Sequence, residues 1–255
     1  MKLLEFDPNK TAVINPWDIK KPVPNFPKTI VSCFPHNLID YAVDEYGAEE
    51  IATTGSANGS DYVYQMEVAG KSIGLVMARV GASMTVGMFE ELAVMGVEHI
   101  ILFGTCGVLS HEIDDCAIIL PNQALRDEGT SFHYAPPSDE IAVNVGTLEP
   151  MIAFFEEKGI SHTVGKVWTT DAFYRETREK VARRKEAGCF CVDMECSAVA
   201  AWAQFRDKKV SHFFYAADNL SKSKWDARSL GNHANVDEKM KIMDLAIELA
   251  ISVTE

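Results

Sequence analysis

Acidic residues border apolar runs at three places in this chain: Asp171 in Asp171-Ala172-Phe173-Tyr174, Asp193 and Glu195 in Val192-Asp193-Met194-Glu195, and Asp218 in Ala217-Asp218-Asn219. A buried carboxylate is costly unless it is paired, hydrogen-bonded or put to chemical use, so these positions point to a site. Asp193 and Glu195 flank Met194 at a predicted helix start, where the dipole favours anions. Simple helix-terminus charge would account for the pair; in a site, Glu195 can accept hydrogen bonds from vicinal sugar hydroxyls. Asp218 ends the run 210–217, which puts it at the carboxyl end of a predicted strand, the usual ligand rim of α/β sheets. Capping the next segment is its alternative role.

Two further motifs follow predicted strands. Gly104-Thr105-Cys106-Gly107 reads as a tight turn whose backbone N–H groups can approach an anion or a sugar, or as a strand-ending turn with no ligand. In Thr169-Thr170-Asp171-Ala172-Phe173-Tyr174, an aromatic can lie on a planar heterocycle or pack in a core.

The elements that must hold these residues alternate between short apolar runs and longer amphipathic stretches, which argues for an α/β domain. Strands are predicted at 30–34, 62–68, 72–80, 97–103, 116–121, 163–168 and 210–217. The pair 62–68 and 72–80 forms a hairpin around Ala69-Gly70. Helices are predicted at 37–46, 85–95, 148–158, about 193–205 and 237–253. Residues 1–29 carry five of the ten prolines, so they form an extended arm of the kind that packs on a neighbour. The whole chain, 1–255, is expected to be one domain.

Composition narrows the partners. With 24 Lys+Arg against 37 Asp+Glu the formal net charge is -13, which opposes binding to nucleic acid or anionic lipid and favours a small substrate. No apolar stretch has the length of a membrane span, and the N-terminus lacks a signal peptide's apolar centre, so a soluble cytoplasmic protein is expected. The six cysteines form no Cys-x-x-Cys pair and match no common zinc spacing; they are read as reduced thiols, with no metal.

Taken in order, Gly104-Thr105-Cys106-Gly107, Asp171-Ala172-Phe173-Tyr174, Asp193-Met194-Glu195 and Asp218-Asn219 resemble the nucleoside phosphorylase family, in its uridine phosphorylase and bacterial purine nucleoside phosphorylase branch. The segment 124–136, Ala-Leu-Arg-Asp-Glu-Gly-Thr-Ser-Phe-His-Tyr-Ala-Pro, is similar to the uridine-cleaving members. The resemblance implies a three-layer α/β fold around a mixed, partly closed sheet. It implies cleavage of an N-glycosidic bond with phosphate as co-substrate and no other cofactor, giving free base and ribose 1-phosphate. Thr105 and Gly104 would contact phosphate, Thr105 also the sugar, Met194 and Glu195 the ribose, and Phe173 the base. Asp218 falls where purine-cleaving relatives keep an acid that protonates the base, so Asp218 and Glu195 are the catalytic candidates. The family also shares residues between subunits, which implies a homo-oligomer with sites near its interfaces.

The chain departs from that pattern on the phosphate side. Phosphate-using relatives have Gly-Asp-Pro-x-Arg after the first strand, where this chain has Cys33-Phe34-Pro35-His36-Asn37, and an arginine where it has Leu102. Arg79, beside Val80-Gly81, is the leading substitute; Arg126, Arg175 and Arg178 are others. Losing two charge-assisted hydrogen bonds would weaken phosphate binding by roughly 10²-fold or more. Three readings follow: a phosphorylase with a rebuilt phosphate site, a nucleoside hydrolase that uses water, and a silent nucleoside-binding protein. Base choice is mixed, since Asp218 leans to purines while Thr177 and Glu179 stand where uridine-cleaving relatives read uracil.

Overall fold

A computed structural model of the chain describes residues 2–222, 224–231 and 233–254. Its strands are β1 (Thr29–Cys33), β2 (Glu49–Ser56), β3 (Gly59–Val68), β4 (Lys71–Met77), β5 (His99–Val108), β6 (Ile118–Asp127), β7 (Glu140–Ala142), β8 (His162–Thr170), β9 (Cys189–Asp193) and β10 (Lys209–Asn219). Its helices are α1 (Pro16–Ile19), α2 (His36–Tyr46), α3 (Ala82–Met95), α4 (Leu148–Glu157), α5 (Arg178–Glu186), α6 (Cys196–Arg206) and α7 (Val236–Val253).

The strands form one mixed sheet. The run β10-β6-β8-β9-β5 closes on itself because β5 also pairs with β10, and β1, β4, β3 and β2 extend from β5 in that order. Strand β5 is parallel to β1 and β10 and antiparallel to β9. Its residues alternate between two cores. Ile101 and Phe103 join Phe155, Phe213, Met243 and Ile247 beneath α2, α4 and α7, while Ile100 and Leu102 join Val86, Phe89, Val199 and Trp202 beneath α3 and α6. A strand covered on both faces reads as a continuous apolar run, as 100–103 does. Fully burying each of these large side chains contributes about 1.5–3 kcal/mol. The three-layer α/β architecture with a partly closed mixed sheet is therefore as expected.

Local signals explain most boundaries. Helix α2 stops at Gly47, which adopts the left-handed conformation. The expected hairpin is β3–β4, with Ala69 and Gly70 both at positive φ, the geometry of a two-residue turn that matches strand twist. Three expectations need correction. Gly104-Thr105-Cys106-Gly107 is not a turn but the second half of β5, which runs on to Val108. Asp193 is the last residue of β9 rather than the first of a helix, and α6 begins at Cys196. The strand expected at 72–80 ends at Met77.

The segment before β1 is irregular apart from the 3-10 turn Lys2–Leu4 and α1, whose first turn is closed by Asn15 and Asp18. It lies on its own chain: Lys20 pairs with Glu91, Lys10 with Asp207, and Phe26 is buried against Gly96. Val13, Ile14 and Ile19 remain exposed.

Candidate functional site

Register gathers the residues around the second half of β5. Thr105 lies opposite Tyr215 and Cys106 opposite Ala216 on β10, while Gly107 lies opposite Val192 on β9. Asp218 and the Asp193–Glu195 segment, each just beyond those partners in sequence, thereby converge from the two sides. The approach is close. A Cβ at Gly107 would lie 2.5 Å from Leu220 Cδ1, 3.1 Å from Asp218 Oδ1 and 3.2 Å from Val192 Cγ1, so only glycine leaves the room. Thr105 is the half-buried residue of this otherwise buried stretch.

Glu195 is 6% exposed, and its Oε1 accepts the Gly81 amide at 2.5 Å. Gly81 is the N-cap of α3 at φ 98, a conformation side-chain-bearing residues rarely adopt. Glu195 is itself the N-cap residue of α6. Two helix amino ends thus meet at one carboxyl group, a setting suited to a polar or anionic ligand. Met194, between the two acids, is half-buried.

Asp193 has a different task. Its Oδ2 accepts the amides of Glu195 (2.9 Å) and Cys196 (2.6 Å), and its Oδ1 accepts the Thr169 hydroxyl (2.7 Å). The chain of bonds continues outward. The Ser197 amide donates to Thr169 Oγ1 at 3.0 Å, and the Ser197 hydroxyl donates to buried Glu128 Oε1 at 2.8 Å, whose Oε2 takes the Ser131 amide at 2.9 Å. Asp193 therefore anchors the start of α6 and leaves Glu195 free to face the site.

Burial pushes the proton affinity of both acids up, and the charge of Asp193 pushes Glu195 further; the amides of Gly81 and Met194 oppose this. Asp218, half-buried near the end of β10, is also raised, first by burial, while the Trp225 indole N–H donates to its Oδ2 at 2.7 Å and pulls the other way. Carboxyl groups whose proton affinity is raised by burial are suited to acid–base work.

On the base side, Phe173 and Tyr174 both sit in the short 3-10 turn Phe173–Arg175, with ring centroids 4.1 Å apart and both residues exposed. Asp171 Oδ2 accepts the Gly129 amide at 2.9 Å, tying this segment to the loop after β6.

The nucleophile side is built differently from the expectation. A Cβ at Gly104 would lie 2.6 Å from Phe34 Cδ2, so the Phe34 ring packs directly on the strand that carries Thr105. Arg79 follows β4, but its guanidinium turns to the β2–β3 hairpin, where Nε pairs with Asp61, Nη1 donates to the Ser56 hydroxyl and Nη2 to the Gly59 carbonyl at 2.9 Å. Leu102 is fully buried in the core. Arg126 is also buried, holding Ser131, Ser138 and the Pro136 carbonyl while stacking on Phe132, which makes it the organiser of the 131–138 loop. Arg175 belongs to the 3-10 turn and Arg178 opens α5, both exposed.

Residues outside the sequence-based set therefore complete the site: Glu128, Thr169 and Ser197 behind Asp193, Phe34 over Gly104, and Trp225 on Asp218. Among the described residues, no group of three or more His, Cys, Asp or Glu side chains is placed to hold a metal ion, and all six cysteines are free. No helix among them is long and apolar enough to cross a membrane.

Residues 36–255 match the sequence profile of the Phosphorylase superfamily. A guanosine phosphorylase of Halorubrum lacusprofundi is 26% identical over 168 residues, 65% of this chain and 66% of the relative. A DeoD-type purine nucleoside phosphorylase of Bacillus cytotoxicus is 28% identical over 175 residues, 66% of this chain and 69% of the relative. The alignment with the same type of enzyme from Bacillus cereus covers 50% of that relative, so the matches span from half to about two thirds of these proteins. In fold, the chain is similar to uridine phosphorylase of Vibrio fischeri complexed with 6-hydroxy-1-naphthoic acid, with a TM-score of 0.74, 20% identity and coverage of 92% and 95% of the two chains. It is also similar to purine nucleoside phosphorylase of Toxoplasma gondii in complex with immucillin-H, with a TM-score of 0.72, 19% identity and coverage of 91% and 90%. With residues 36–255 matched to that profile, this chain belongs to the phosphorylase superfamily.

Proposed function

We propose that the protein is a nucleoside phosphorylase, cleaving the N-glycosidic bond of a purine or pyrimidine nucleoside with phosphate to give free base and ribose 1-phosphate. The observation that carries this reading is the buried Glu195 carboxyl, set between the starts of α3 and α6 and gathered with Thr105 and Asp218 by strand register. The C1′–N electron pair leaves with the base, and Asp218 supplies the proton that makes the base a better leaving group. The sugar carbon develops positive charge; ionised Glu195 orients the ribose hydroxyls and stabilises that charge, Met194 packs on the sugar, and a phosphate oxygen forms the new bond. Thr105 and the Gly104 backbone face sugar and phosphate, Arg79 supplies the cation, and Phe173 lies against the base.

Hydrolysis is the second reading, and one observation favours it. The Phe34 ring covers Gly104 and Arg79 is engaged by Asp61, which narrows the room and the free charge for phosphate. The same enzyme is read as one domain, cytoplasmic and homo-oligomeric; the exposed Val13, Ile14 and Ile19 of the N-terminal segment support contact with a second copy.

Incubation with purine and pyrimidine nucleosides, with and without phosphate, tests the reaction. Phosphate-dependent ribose 1-phosphate is the expected product. Free ribose without phosphate would replace phosphorolysis by hydrolysis, and saturable binding without turnover would remove both.

A further inference from the structure

The proposed reaction gives no task to Asp171 or to the segment 124–136. Four consecutive residues of that segment each fasten a different part of the fold. Buried Arg126 holds Ser131, Ser138 and the Pro136 carbonyl of its own loop. Asp127 Oδ2 accepts the indole N–H of Trp168 on β8 at 3.0 Å and pairs with Lys180 and Arg184 of α5 at 3.0 and 3.1 Å. The buried Glu128 carboxyl takes the Ser197 hydroxyl of α6 at 2.8 Å and the Ser131 amide at 2.9 Å. The Gly129 amide then donates to Asp171 Oδ2 at 2.9 Å. The turn that Asp171 precedes is in need of such support. None of the three residues of Phe173–Arg175 is buried, so apolar packing does little to fix it. Its internal bonds are local: the Ala172 amide to Thr170 Oγ1 at 3.3 Å, the Arg175 amide to the Ala172 carbonyl at 2.7 Å, and the Glu176 amide to the Phe173 carbonyl at 3.2 Å. Bonds of that kind shape a turn without deciding where it sits. Asp171 reaches outside it, to a loop anchored on β8, α5 and α6.

We propose that Asp171 is a positioning residue for the base half of the site: by accepting the Gly129 amide it hangs the Phe173 turn on the 126–129 junction, and so sets where the Phe173 ring meets a planar heterocycle. The inference rests on the nucleoside-cleaving reading, which puts a base against Phe173. Contact between flat rings depends on their offset and separation, so a turn free to shift loses part of it. A ring already in place also spares the cost of ordering it when the substrate arrives. The role asks nothing of Asp171 in bond breaking. Its loss therefore acts on nucleoside binding rather than on the chemical step.

The experiment compares Asp171→Ala with Asp171→Asn in the full chain. Both remove the charge, but the asparagine carbonyl can still accept the Gly129 amide, so a difference between the two reads the hydrogen bond. The readouts are kcat and KM for nucleoside cleavage and amide hydrogen exchange at Arg175 and Glu176. Asp171→Ala is expected to show a nucleoside KM about fivefold above that of Asp171→Asn, the scale of one ordinary hydrogen bond, with kcat alike in the two. Exchange at the two turn amides should quicken in Asp171→Ala and return towards the wild-type rate in Asp171→Asn. Equal nucleoside KM in the two variants, a difference confined to kcat, or equal exchange at Arg175 and Glu176 overturns the inference. The two readings fail separately. A wild-type protein that cleaves no nucleoside defeats the proposed function, while exchange in the turn still decides whether Asp171 holds it. Nucleoside cleavage with equal KM and equal exchange in the two variants defeats this inference alone.

Discussion

The Gly81 amide donates to Glu195 Oε1 at 2.5 Å, joining the first residue before α3 to the first residue before α6. This contact gives Glu195 a fixed direction, and the carboxyl group's work depends on it. Glu195→Ala is expected to lower kcat by 10²-fold or more, the scale seen when a group that stabilises transition-state charge is removed. Single-turnover assays with the folded variant measure it; near wild-type activity would remove Glu195 from the sugar site.

The same carboxyl makes stability depend on pH. Because burial raises its proton affinity in the folded state, the folded chain holds that proton where the unfolded chain has released it. Unfolding free energy should fall as pH rises from about 4.5, the unfolded value, through neutrality. Glu195→Gln should flatten that slope in urea melts taken across the range. Activity should move oppositely, rising with pH as Glu195 ionises.

Asp193→Ala should act on stability more than on chemistry. It removes the acceptor of two amides and the Thr169 hydroxyl, and loss of a helix-start acceptor costs about 0.5–2 kcal/mol. The measurement is a denaturant midpoint; a variant as stable as the wild type would contradict the anchoring role.

Phe34 and Gly104 should be coupled. Gly104→Ala forces a methyl against the Phe34 ring and is expected to cost about 1–3 kcal/mol, and Phe34→Ala in the same chain should recover much of it. If phosphate is the nucleophile, Phe34→Ala alone should lower its KM by opening the strand that carries Thr105.

Arg79 is separable from its structural partner by comparison. Arg79→Ala and Asp61→Ala each break the same ion pair, and Arg79→Ala also loses the bonds to Ser56 and Gly59, so it should weaken the fold more. Only Arg79→Ala should raise KM for phosphate, while Asp61→Ala frees the guanidinium and should not. An unchanged phosphate KM in Arg79→Ala removes it from the anion site.

The sequence displays long, doubly covered elements well. The apolar run 100–103 and the periodicity of α7 announce themselves because burial imposes their pattern, and Gly47 and Ala69-Gly70 mark chain reversals by the φ values they tolerate. Helix α5 was invisible because Val181 is its one buried residue, which leaves no apolar stripe. Strand β9 is five residues long and runs straight into the acids before α6, so strand and helix merge in the pattern. At the site, the residue types of Glu195, Thr105 and Asp218 were readable. Partners supplied by distant segments were not: nothing near Gly104 announces Phe34, and nothing near Arg79 announces that Asp61 will claim its charge.

The closed run β5-β10-β6-β8-β9 has a mechanical consequence. Four of its strands carry or brace the candidate groups, through Thr105, Asp218, Thr169 and Asp193. In a hoop, one strand cannot slide past its neighbours without breaking ladders on both sides. The pocket should therefore assemble and be lost in one step with the barrel, and its adjustment to a substrate falls to the loops at its rim.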